Sequence, residues 1–363
     1  MKRGLDIAFF GSSPGREVRG GAASYYCGVL RALVRRGSRV TFYEPDDYAR
    51  RDDLNPDWAR VVAYEHEGED GLLSALTEAS SADLVIKASG AGVFDETLEH
   101  AVVEMQRPGA LVAFWDVDSP ATLDRLKRNP RDPFRELIPE YDLIMTCGGA
   151  GASQAYESLG ARMCASVHHA LDPALSYRVD ADPRFEADLG LLGSRLPGRE
   201  ARVEEFFLRP ASALPDRRFL LGGEGWGETL LPPNVNYVGP VPVEYYNAFN
   251  SAPRAMLNLD CEELSRYGFS PSARLFEAAG AGVCLITDVR EGVETFLEPG
   301  SEVLVARDCD EVIEIVRSLT PERAREIGQN ALRRLLAEHT YDHRADRVES
   351  LLDAKQMVFV EIG

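Results

Sequence analysis

Apolar runs of about strand length alternate with helical spacing from the start of the chain. LDIAFFG is followed by a helical pattern from about Gly21 to Arg36, then by RVTFYEP, DLVIKAS, LVAFWDVD and DLIMTC. Within the first helical stretch Tyr26, Val29, Leu30, Leu33 and Val34 keep the i, i+3, i+4 spacing of one buried face. Repeated β-α-β units predict a parallel sheet covered on both sides. A second series begins after the Pro/Asp-rich stretch 171–187: DLGLLGS, a helix from about Arg199, then RFLLGGE, VNYVGP, RAMLNLD, VCLIT and EVLVARD. Helical patterns then occupy Cys309 to Leu319, Pro321 to Glu338 and roughly His339 to Lys355, with Pro321 placed as a first-turn residue.

The expectation is α/β throughout: two Rossmann-like doubly wound domains facing a deep cleft, where open α/β sheets bind ligands at the carboxyl ends of their strands. The boundaries predicted are 1–175 for an N-terminal Rossmann-like domain, 176–338 for a C-terminal Rossmann-like domain, and 339–363 for a final helix packing back on the first domain.

A length of 363 residues with 45% apolar content suits two domains. The apolar runs fall far below the ~20 residues of a membrane span. The opening MKRGLDIAFFG reads as a first strand, without the pattern of a secretory signal. Six cysteines, at 27, 147, 164, 261, 284 and 309, form no C-x-x-C pair and read as reduced core residues of a cytoplasmic protein. The net charge of −19 disfavours nucleic acid and anionic lipid as partners, so an anionic ligand needs a local positive spot.

Such a spot is offered by YGFSPSARLFEAAGAGVC (267–284), in which Ser270, Pro271 and Ser272 precede a short helix carrying Arg274 and Glu277. Helix N-terminal N–H groups and an arginine fork suit a diphosphate, and a carboxylate one turn in suits ribose hydroxyls. A capped helix with a surface Arg/Glu pair satisfies the same spacing. A glycine loop after the first strand of the second series adds Gly193, Ser194, Arg195 and Arg199, and a third, GGEGWGE (222–228), adds Gly225 and Trp226. Trp226 could stack on a base or simply pack in a turn.

In the first series GSSPGREVRGGAASYY (11–26) fails the G-x-G-x-x-G spacing of a nicotinamide dinucleotide site, and its Gly20 and Gly21 fit an acceptor site better. Asp116 and Asp118 follow LVAFW at a strand's carboxyl end, where a general base would serve, although a helix cap for Ser119-Pro120 explains an acid there as well. His168 and His169 end another predicted strand, pointing to opposite faces. No residues have metal-ligand spacing, so neither a metal nor a cofactor is expected.

Several of these segments occur in one order. The chain resembles the GT-B glycosyltransferases, and more closely their spore-maturation CgeB-like branch, in GFSPSARLFEAAGAGVCLITD (268–288) with EGVETFLEPGSEVLVARD, in DLGLLGSRLPGR, in PPNVNYVGPVP (232–242) and in EHTYDHRADRV (338–348). WDVDSPATLDRL (115–126), YDLIMTCGGAGASQAYESLGA (141–161) and HHALDP (168–173) resemble it too.

The resemblance implies a nucleotide-diphosphate-sugar co-substrate on the second lobe, an acceptor (small molecule, glycan or protein) on the first, and metal-independent transfer. It implies that Ser270 to Ser272 with Arg274 hold the diphosphate, Glu277 the ribose, and Gly193 to Arg199 a further part of the donor. Arg274 would also stabilise the leaving group, with Asp118, or else Asp116 or His169, as the acceptor base. Related retaining enzymes have a second glutamate eight residues before the ribose glutamate, where this chain has Phe269, so the stereochemical outcome stays open. The alternatives are a sugar-nucleotide epimerase or hydrolase on the same fold, and a non-catalytic sugar-nucleotide-binding protein.

Overall fold

The computed structural model describes residues 4–12, 21–46, 56–90, 92–196, 198–259, 266–288 and 292–362. Its strands are β1 (Asp6–Phe10), β2 (Arg39–Pro45), β3 (Arg60–Tyr64), β4 (Leu84–Ala88), β5 (Leu111–Asp116), β6 (Leu143–Thr146), β7 (Cys164–Ser166), β8 (Leu189–Leu192), β9 (Phe219–Gly222), β10 (Val235–Tyr237), β11 (Ala255–Asn258), β12 (Cys284–Asp288) and β13 (Leu304–Ala306). Its helices are α1 (Gly21–Arg35), α2 (Asp70–Ala79), α3 (Asp95–Val103), α4 (Ser119–Arg128), α5 (Phe134–Leu137), α6 (Ala150–Ser158), α7 (Glu200–Val203), α8 (Arg209–Ala213), α9 (Tyr246–Ser251), α10 (Ala273–Gly280), α11 (Cys309–Ser318), α12 (Pro321–Glu338) and α13 (Tyr341–Ile362). Two compact units result: Met1–His168 with Arg266–Ser270 and Tyr341–Gly363, and His169–Ser265 with Pro271–Thr340.

In the first unit seven parallel strands run in the order β3-β2-β1-β4-β5-β6-β7. Every residue of β4 and β5 is buried, as a sheet covered on both faces requires. The edge strand β3 (RVVAY) is half exposed and lacks the continuous apolar run by which its neighbours announce themselves. Tyr25, Tyr26, Val29, Leu30 and Leu33 form the buried face of α1. On its other side α13 packs against it. Gly28 leaves room for the Tyr341 ring, and Arg35 and Arg36 pair with Asp342, Asp346 and Glu349. The last helix extends beyond the expected Lys355 to Ile362.

β4 also buries Lys87, which pairs with Asp95 of α3; one turn on, Glu99 meets Arg125 of α4 at 3.3 Å. Burial pushes the Glu99 carboxyl up to about 6 against the opposing pull of Arg125 and Lys87.

In the second unit six parallel strands take the order β10-β9-β8-β11-β12-β13. The helix expected from about Arg199 is interrupted, because residues Glu204–Leu208 between α7 and α8 form a π-helical turn. Pro210 explains it: a helix-interior proline has no N–H to give, and its ring crowds the carbonyl four residues back. In each sheet the order reverses once, between β1 and β4 and between β8 and β11. Such switch points open a crevice at the carboxyl edge of the sheet.

Candidate functional site

The switch point of the second unit collects most of the residues singled out for the donor. The loop after β8 leads into α7 and carries Gly193 to Arg199; the chain after β11 leads into α10 and carries Ser272, Arg274 and Glu277. Arg199 and Arg274 line one small cavity with Asn258, the last residue of β11.

Among the described residues neither arginine has a tight carboxylate pair. A terminal nitrogen of Arg199 donates to the Leu259 carbonyl. A Cβ at Gly193 would stand 2.9 Å from the Arg199 Nη1, so the glycine makes room for that side chain. The Arg274 guanidinium lies over the Tyr246 ring, 5.2 Å from its centroid, with Glu277 at 3.9 Å.

Ser272 occupies the N-cap position of α10 but does not cap it: its hydroxyl donates to Asn258 Oδ1 at 3.3 Å, and the helix has no side-chain cap hydrogen bond. The first-turn N–H groups therefore lack the usual side-chain acceptor, and the positive end of the helix stands beside two arginines.

The loop after β8 is braced by the loop after β9. Gly193 N–H donates to the Gly222 carbonyl at 2.8 Å, Arg195 N–H to the Glu224 carbonyl at 2.8 Å, and Glu224 N–H to the Ser194 hydroxyl at 3.4 Å. Gly223, at φ 132°, passes so close that a Cβ there would lie 2.3 Å from the Gly193 carbonyl oxygen. Trp226 is 2% exposed and its indole N–H donates to that same carbonyl at 2.8 Å. This corrects the base-stacking alternative, since the ring is walled in and fixes the loop from below. Gly225, at φ 85°, turns the chain beside Arg195 and belongs to the same support. Arg195 itself makes a two-point pair with Glu200, at 3.0 and 3.3 Å, which occupies its guanidinium.

Ser270 is also corrected. Residues Arg266–Ser270 are counted with the first unit, and the Ser270 hydroxyl donates to the Cys147 carbonyl. Tyr267 hydroxyl and Arg266 both reach Asp124, at 3.0 and 2.8 Å. A Cβ at Gly149 or Gly151 would fall within 3 Å of the backbone of 267–269. Pro271 and Ser272 alone of that tripeptide lie in the second unit.

In the first unit Asp116 and Asp118 separate in role. Asp116 is wholly buried: its oxygens accept from Thr122 at 2.9 Å, from Tyr156 at 2.7 Å and from the Asp118 N–H at 3.2 Å. Burial raises its carboxyl above the ordinary range, and with no exposed atom it knits β5 to α4 and α6, which removes it as an acceptor base. Asp118 is exposed and caps α4, accepting from the Ala121 N–H at 3.3 Å.

The expected strand end at His168 and His169 falls earlier, at Ser166. His168 Nδ1 lies 3.2 Å from the Cys147 carbonyl, which can only accept, so Nδ1 carries the proton. Arg344 Nε donates to the His168 carbonyl at 3.1 Å. Burial, reinforced by the Arg344 charge, pushes the imidazole down to about 4. His169 is half-buried and belongs to the second unit. Gly21 opens α1, whereas Gly20 lies outside the described residues.

Residues 199–350, under half of the chain, match a protein family described as glycosyl transferase-like. Among solved structures, sucrose-phosphate synthase from Thermosynechococcus elongatus is similar at 15% identity and a TM-score of 0.64, over 98% of this chain and 99% of its own. HepE from Anabaena, in complex with UDP-glucose, is similar at 14% identity and a TM-score of 0.69, over 96% and 100%. An alpha-glucosyltransferase in complex with UDP and a 13-mer DNA is similar at 13% identity and a TM-score of 0.68, over 96% and 100%. The fold of the chain is that of these GT-B structures, and part of its second unit carries the glycosyl transferase-like match. No curated protein matches the chain in sequence.

The sequence pattern gave no sign of Asn258, a buried amide at a strand end, or of the glycine pair at 149 and 151. Neither has a local signal. Asn258 sits in an apolar run, and the two glycines are explained only by a segment more than a hundred residues away. Among the described residues no helix is long and apolar enough to cross a membrane.

Proposed function

We propose that the protein moves a sugar from a nucleoside-diphosphate sugar to a hydroxyl acceptor, with the second unit holding the donor and the first supplying the acceptor side. The observation that carries this reading is the pair Arg199 and Arg274 lining one cavity at the switch point, beside a helix N-terminus without a side-chain cap. In that role Arg274 and the first-turn N–H groups neutralise the charge that develops on the leaving diphosphate, a preorganised stabilisation that needs no metal ion. Among the described residues no three of His, Cys, Asp and Glu gather as a ligand set. Glu277, one turn in, receives the ribose hydroxyls. Asp118, exposed at the carboxyl end of β5, takes the acceptor proton.

HepE is seen with UDP-glucose, which makes a uridine diphosphate sugar the first donor to test. A DNA acceptor is disfavoured by the net charge of −19. The closer kinship with the CgeB-like branch rests on the sequence motifs.

The decisive experiment measures donor-dependent transfer and UDP binding in Arg274→Ala. A guanidinium whose hydrogen bonds go to a phosphate is worth about 1.5–3 kcal/mol, so affinity or turnover falls about 10- to 150-fold while the melting temperature holds. Wild-type affinity and rate in that variant would sink the assignment.

A further inference from the structure

The cavity between Arg199 and Arg274 has an unusual polar inventory. It measures about 10 Å³, room for one oxygen-sized guest, and its floor is apolar: Leu191, Met256, Leu257 and Leu285. Three donor groups of its lining residues are buried without a hydrogen-bond partner among the described residues: Arg199 Nε, Arg274 Nη1 and Asn258 Nδ2. Asn258 is 4% exposed, and its other amide atom, Oδ1, already accepts from Ser272. A buried donor left unmade costs about 1–3 kcal/mol, more for a charged group. Three such donors on residues that share one hole, two of them on cations and one of these 3.9 Å from the Glu277 carboxylate, favour an acceptor there.

We propose that Asn258 is a substrate-binding residue: its amide N–H2, with Arg199 and Arg274, forms a three-donor seat for one phosphoryl oxygen of the nucleoside diphosphate. This rests on the donor reading of the second unit and adds a residue to it. The seat selects an oxyanion by geometry as well as charge. The carboxamide offers a neutral, directed donor from the sheet, while the guanidinium groups approach from α7's leading loop and from α10. Ser272, by holding Oδ1, turns Nδ2 toward the cavity and so acts as a positioning residue.

The test is calorimetric titration of the full chain with UDP, with inorganic pyrophosphate and with uridine, for the wild type, Asn258→Ala, Asn258→Ser, Asn258→Asp and Arg274→Ala. The expected result is a loss of about 10-fold or more in UDP and pyrophosphate affinity for Asn258→Ala and Asn258→Ser, with uridine unaffected. Asn258→Asp loses more, because a carboxylate pairs with the arginines and repels the phosphate. Thermal melts of the free proteins check that the variants fold, and Asn258→Ser, which keeps a small polar group, serves if the alanine variant does not. Wild-type UDP affinity in Asn258→Ala or Asn258→Ser, with Arg274→Ala weakened, overturns the inference and leaves the donor reading standing. Undiminished binding in Asn258→Asp likewise overturns it, because the amide would then be accepting rather than donating. Absence of binding of either phosphate ligand by the wild type overturns the donor reading itself.

Discussion

Two groups of the first unit that desolvation shifts should respond to acid with opposite signs. The His168 imidazole falls from its ordinary 6.5 to about 4, chiefly through burial, so the folded state binds fewer protons than the unfolded chain between those values. Stability contributed by keeping this ring neutral is complete above pH 6.5 and is lost as pH falls toward 4. A shift of that size amounts to about 3 kcal/mol at 1.36 kcal/mol per pH unit. Glu99 runs the other way. Its carboxyl rises from 4.5 to about 6, chiefly through burial, so the folded state binds more protons in that window. Its contribution is complete below pH 4.5 and about 2 kcal/mol of it is lost as pH rises through 6. The two offset in part in the wild type, and the variants separate them. His168→Asn, which can keep the donor to the Cys147 carbonyl, should lose its stability deficit as the medium is acidified from pH 7 to 4. Glu99→Gln should lose its relative advantage over the same range. The assay is urea denaturation of each protein at half-unit pH steps, with NMR titration of labelled histidine as a direct check. A His168 signal that titrates near 6.5, or a His168→Asn difference independent of pH, would refute the reasoning.

Gly193→Ala places a methyl 2.9 Å from the movable tip of Arg199, so UDP affinity should drop several-fold with little change in melting temperature; Gly223→Ala meets the Gly193 backbone at 2.3 Å from a left-handed φ and should cost ~3 kcal/mol or more. Equal melting temperatures for the two variants would contradict this account of the loop. Asp118→Asn keeps a good N-cap and should leave stability within about 0.5 kcal/mol while abolishing transfer, with UDP binding retained. Asp116→Asn, which disturbs three buried hydrogen bonds, should instead destabilise by about 1–3 kcal/mol, measured by denaturation.

The architecture was legible because a parallel sheet buried on both faces writes each strand as an apolar run. All six strands of the second unit were predicted, as were β1, β2, β4, β5 and β6 of the first. β3 was missed because an edge strand shields only part of its surface, and β7 was expected to run on to His168 and His169 because so short a strand as CAS gives no pattern to mark its end. Local motifs marked residues that the switch point of the second unit brings together but not what each side chain does. From spacing, Arg195 and Arg199 were equivalent, as were Asp116 and Asp118. The difference lies in long-range contacts: Glu200 for Arg195, the Leu259 carbonyl for Arg199, Tyr156 for Asp116. Trp226 shows the same limit. A tryptophan in a glycine loop reads alike whether it faces a ligand or braces the turn, and only the Gly193 carbonyl decides.

In a chain of net charge −19 an anion is held where positive charge has not been cancelled, and several arginines of the second unit differ by that criterion. Arg195 is matched by Glu200, Arg202 by the buried Asp288, and Arg254 by Asp188 at 2.9 Å. Arg199 is anchored by a carbonyl and Arg274 by an aromatic face, contacts that fix position without neutralising charge. Glu277, at 3.9 Å from Arg274, lies beyond hydrogen-bond reach and compensates only in part. A single oxygen of a ligand anion reaching this cavity would therefore meet two preset cations and a helix N-terminus without first breaking a short ion pair among the described residues. The protein's own fold carries that electrostatic cost, and it is offset only when the oxyanion arrives.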